Sequence, residues 1–156
     1  MTTDLPNSQP KTLLCPSAQP DWDGAVTFGV VAGTAQAPQI VYLKELLEPN
    51  PNLLALTEPV RPTEVFRFAA ACKCSGCRHF EHTQCSLATK LVTLLTPVVD
   101  ELPACGIRDR CRWFFQEGGA ACRRCPQVVT DNTNASEPMR IVADPSVRPE
   151  QASLRG

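Results

Sequence analysis

The sequence predicts a small, irregular α+β domain organised around clustered cysteines. Three observations carry that expectation. Of nine cysteines, eight fall between Cys72 and Cys125. Two β-rich runs, residues 25–31 and 39–43, flank a stretch of turn composition and read as a β-hairpin over 24–43. Beyond the hairpin, prolines and cysteines cut the chain into pieces too short for long helices or strands. At 156 residues the chain suits one domain with a modest core.

Each element has its own local reason. Residues 1–23 are rich in Pro, Ser, Asp and Gln and are expected to form a flexible arm. Cys15 lies in that arm, 57 positions before the next cysteine, and reads as a spare thiol. Gly29 and Gly33 read as strand and turn glycines, since no phosphate-loop pattern surrounds them. Residues 52–57 suit one or two helical turns. Residues 62–65 suit either a short helix or the lead into a strand through Phe66 and Phe68, and these two phenylalanines are expected in the core. Ser86 is placed to cap a helix reaching about Leu95, with Leu87, Leu91, Leu94 and Leu95 at helical spacing. A second short helix is expected over 97–102, between two prolines. Asp109 is placed to cap a helix over 110–117 that Gly118 and Gly119 end. Residues 127–130 suit a short strand, and 131–156 a flexible tail. The expected organisation is thus an arm (1–23), one metal-binding domain (24–130, cysteine-rich over 72–126) and a tail (131–156).

The chemistry concentrates in the cysteines. Cys105, Cys111, Cys122 and Cys125 lie within 21 residues, and the last two form a Cys-x-x-Cys pair followed by Pro126. Such a pair lets two sulfurs face one metal while the backbone turns. A second group comprises Cys72, Cys74, Cys77 and Cys85, with His79 and His82 between them. Cys74-x2-Cys77 and Cys72-x4-Cys77 are competing pairs there, and Gly76 permits the turn. The two histidines read as surface or supporting residues rather than ligands. An odd cysteine count without a leader-like N-terminus argues against a disulfide scaffold and for reduced, metal-binding thiols.

The expected cofactor is an iron–sulfur cluster, of [4Fe–4S] type, in one or two copies. Zinc is the alternative, with Cys74 and Cys77 joining Cys122 and Cys125 in one four-thiolate site. Thiolate-bound clusters carry net negative charge. Arg108, Arg110, Arg112, Arg123 and Arg124, interleaved with the ligands, would offset it. The formal net charge of the whole chain is −1, but residues 72–125 carry eight Lys/Arg against five Asp/Glu. That local excess suits an acidic protein redox partner better than nucleic acid, for which no recognition motif is present. No apolar stretch approaches the length of a membrane span. No nucleophile elbow, zincin or deaminase pattern is present, so catalysis is not expected.

The pieces FRFAAAC, GCRHF, CSLATK, CGIRDRCRWFFQEG and AACRRCPQVVT, between Val65 and Thr130, resemble a group of small cysteine-rich bacterial proteins of cyanobacterial type, some labelled nitrogen fixation proteins. The resemblance implies a bacterial, cytoplasmic protein and no particular activity. It carries a Cys72-x4-Cys77 pattern to which Cys74 is an addition, leaving open whether Cys72 or Cys74 is the ligand. The functional expectation is an iron–sulfur protein of electron transfer, redox sensing or accessory maturation. The alternative is a zinc-stabilised interaction module.

Overall fold

The computed structural model describes residues 12–150, apart from 35, 36 and 133. The α+β class is as the sequence predicts: a small antiparallel sheet with short helices. The sheet has four strands, β1 (Leu14–Ala18), β2 (Val26–Gly33), β3 (Pro38–Leu47) and β4 (Phe66–Ala71), in the order β1-β4-β2-β3. The hairpin is β2 with β3, paired from Gly33↔Pro38 to Thr27↔Leu47. Gly33, at φ +77, takes the left-handed conformation that closes the strand end. At Gly29 a Cβ would come within 2.7 Å of Ile40 Cγ2, so only glycine fits between the strands.

The stretch expected as a flexible arm contains β1, which pairs with β4 through Leu14↔Ala71 and Cys15↔Ala70. Its composition conceals the strand because Pro16 sits at an edge, where a missing N–H breaks no ladder. β4 is buried along nearly its whole length, Phe66 and Phe68 included, since strands cover it on both sides.

Two short helices, α1 (Pro51–Ala55) and α2 (Pro62–Val65), stand where the prolines place them at helix starts. A two-stranded ribbon, β5 (Phe80–Glu81) and β6 (Gln84–Cys85), leads into α3 (Ser86–Leu94). Cys85, not Ser86, occupies the cap position, and the Ser86 hydroxyl is buried without a partner. Leu87, Ala88 and Leu91 form the buried stripe of α3. Residues 97–102 are irregular rather than helical. Val98 N–H donates to the Arg123 carbonyl, which holds this segment outside a helix of its own.

The cysteine-rich end holds α4 (Arg112–Glu117) and α5 (Gly119–Arg124). Cys111, rather than Asp109, caps α4, because a single 3-10 turn at Arg108–Arg110 precedes it. Gly118, at φ +68, makes the break between the two helices. Residues 127–130 form no strand. Beyond them, α6 (Glu137–Ala143) stands in the stretch expected as a loose tail. Ser136 caps α6, and Val142 and Met139 pack it on the core. One core cluster joins Leu14, Phe28, Leu91, Ile107, Trp113, Val128 and Val142, so sheet, helices and C-terminal helix share an interior.

Candidate metal centre

Cys105, Cys111, Cys122 and Cys125 come together around one cavity of about 20 Å³. Cys105 arrives on the loop after α3, Cys111 at the start of α4, Cys122 within α5 and Cys125 at its end. Phe28, Tyr42, Ile107, Trp113 and Phe114 supply apolar walls. Burial pushes the Cys111 thiol up to about 12 and raises Cys105 also. Backbone N–H groups counter that by favouring the anion: those of Phe114 and Trp113 act on Cys111, and that of Ile107 on Cys105.

Beside this group lies Arg67, the second residue of β4 and 0% exposed. Its Nε and Nη2 donate to the Pro16 carbonyl at 3.1 and 2.8 Å. Its Nη1 donates to the carbonyls of Val128 (2.9 Å) and Cys125 (3.2 Å). The guanidinium lies 5.1 Å from the centroid of Phe28 and 5.6 Å from that of Trp113. The oxygens that accept from it are all backbone carbonyls, and no carboxylate pairs with it among the described residues. A fully buried cation without a counter-charge costs several kcal/mol, of order 3 or more. Burial pushes its pKa down, but the facing Cys125, Tyr42 and Cys111 reverse the direction, so the guanidinium stays charged. The Tyr42 hydroxyl also reaches Cys125, and burial drives the phenol strongly upward, so it remains a donor. Trp113 lines the same cavity, and its indole N–H is buried without an acceptor.

This donor set fits a thiolate-bound metal group. Four thiolates around a metal carry the net negative charge that Arg67 lacks, and their sulfurs offer acceptors for buried N–H groups. Among the described residues, no three Cys, His, Asp or Glu side chains converge tightly enough to clasp a single ion as they stand.

The second group divides. Cys72, Cys77 and Cys85 line an open cleft of about 960 Å³, together with His79. Cys74 is exposed, at φ +51, and does not line it; Arg112 Nη2 donates to its sulfur at 3.5 Å. Cys77 lines this open cleft, whereas Cys122 and Cys125 line the buried cavity. Trp113 contributes to the walls of both. Gln116 ties α4 to the cleft: its Oε1 accepts from Cys85 N–H at 2.8 Å and its Nε2 donates to the Cys85 carbonyl at 2.9 Å. Burial lowers the His79 pKa to about 4, with Lys90, Arg78 and Arg148 adding to the effect, and its Nδ1 is buried without a partner.

Arg67 and Tyr42 are the site residues that sequence reasoning missed. The available signal was one arginine inside the apolar run FRFAAA, a position where a charge needs a reason. No protein-family model, no curated protein and no solved structure matches the chain.

Proposed function

We propose that the chain is an iron–sulfur protein whose cluster is held by Cys105, Cys111, Cys122 and Cys125. The observation that carries this reading is the fully buried Arg67, which faces those thiols and has no carboxylate partner among the described residues. A cluster would supply one-electron redox chemistry at this place. The protein's own part is to exclude water with Phe28, Trp113 and Phe114, to balance charge with Arg67 and to donate from Tyr42 to the Cys125 sulfur. Thiols spread around a cavity suit a polynuclear group, whose ligands bind separate metal atoms. One zinc ion, by contrast, would draw its sulfurs to about 2.3 Å from a single point. The function that follows is electron transfer or redox sensing with an acidic partner protein, drawn by Arg108 and the exposed Arg110.

Zinc is the second reading, favoured by the small volume of the cavity, about 20 Å³. One experiment separates the two. The protein is purified without oxygen, and iron, sulfide and zinc are measured on the same sample. Iron and sulfide in matching amounts, reduced together in Cys122→Ser/Cys125→Ser, are expected. Unchanged iron in that variant, or a colourless zinc protein, would overturn the iron–sulfur reading.

A further inference from the structure

The open cleft assembles a third cysteine set that the sequence does not group. Cys15 stands opposite Ala70 in the β1–β4 ladder. The ladder continues one step further, since Cys72 N–H donates to the Leu13 carbonyl at 2.8 Å. Side chains two apart on a strand share a face, so Cys72 falls diagonally across from Cys15. Both line the cleft, as do Cys77 from the loop after β4 and Cys85 from the end of β6.

A second feature distinguishes these four from Cys74. Each of their sulfurs is met by backbone N–H groups. Cys74 N–H donates to Cys72 Sγ at 3.4 Å, and His79 N–H donates to Cys77 Sγ at 3.4 Å. Burial raises the Cys15 thiol to about 12 and raises that of Cys85 also, and the N–H groups of Ser17 on Cys15 and of Leu87 and Ala88 on Cys85 partly offset that effect. N–H donors directed at sulfur favour thiolate over thiol and orient it for a metal. Cys74 lies outside the cleft, although its own N–H serves Cys72. Lys73, Arg78, Arg112 and Arg140 also line the cleft and would balance an anionic centre.

We infer that Cys15, Cys72, Cys77 and Cys85 hold a second metal–thiolate centre, of the iron–sulfur class, and that Cys74 is not among its ligands. The centre has its own ligands and its own cavity, apart from the buried one around Arg67. It is more open to solvent, and one of its ligands comes from the N-terminal strand.

The test counts metal in the full-length protein, reconstituted without oxygen using ferrous iron and sulfide. In the Cys122→Ser/Cys125→Ser background, iron that remains reports the cleft alone, so failure of either centre is seen separately. In otherwise wild-type protein, Cys15→Ser and Cys72→Ser should each halve the iron and sulfide, while Cys74→Ser should leave both at the wild-type level. Alkylation of unmutated protein, mapped by mass spectrometry, removes dependence on the folding of variants. Cys15, Cys72, Cys77 and Cys85 should be protected when loaded and become reactive after chelation, while Cys74 should react in both states. Wild-type iron content in Cys15→Ser, a Cys15 reactivity that chelation does not change, or loss of iron in Cys74→Ser would overturn the proposal.

Discussion

Arg67 shows how one residue can reveal a site. A guanidinium buried in a strand is stable only when something anionic faces it, and the facing groups here are thiols and a phenol. Arg67→Met keeps the volume and removes the charge. With a cluster in place, losing a nearby cation makes reduction harder, so the potential should move to more negative values in a redox titration followed by EPR. The same variant frees the carbonyls of Pro16, Cys125 and Val128, and should cost about 3 kcal/mol or more in denaturant unfolding. His79 makes a pH prediction. Its pKa is about 4 in the fold against about 6.5 in an unfolded chain. Between those values the unfolded state binds a proton that the native state does not, so stability is lost as pH falls through that window. Unfolding of metal-free protein at pH 7 and pH 5 should show that loss, and His79→Gln should remove it.

Among the elements, α3 and α6 make a clamp with two kinds of contact. Leu91 is fully buried between them and the remaining helices, and Leu91→Ala should cost about 2–5 kcal/mol. Lys90 donates from Nζ to the carbonyls of Asp144 (2.6 Å) and Val147 (2.7 Å), fixing the segment after α6. Lys90→Met should cost about 2–4 kcal/mol and expose residues 137–147 to early proteolysis, read by limited digestion. The hairpin and α3 were legible in the sequence because their patterns are local: alternation in one, leucines at helical spacing in the other. Strand β1 and helix α6 were not. Pro16 masks the first, and the second has only seven residues, helical because Val142 and Met139 find a core to cover. The grouping of Cys105, Cys111, Cys122 and Cys125 could be read from spacing. The place of Cys15 could not, because a strand register unites it with Cys72 across 57 positions.

At the scale of the molecule, the two thiol groups share a wall in Trp113 and a tether in Gln116, so each has a structural stake in the other. Metal bound to the native state alone adds its binding free energy to folding. Chelation should therefore lower the melting temperature of the whole domain in one transition, as seen by calorimetry on loaded and stripped protein. A melt unchanged by chelation would detach metal from stability. Among the described residues, no helix is long and apolar enough to cross a membrane.

Leu14 lies in a parallel bridge beside Cys111, tying the first strand to the start of α4. During synthesis β1 leaves the ribosome early and must wait for that partner until most of the chain has been made. The cleft waits longer still, since Met139 and Val142 of α6 line it. Neither pocket can close around its thiols on a half-made chain. Metal would then be inserted after translation, and whatever delivers it would meet a nearly finished surface rather than a loose ribbon of cysteines.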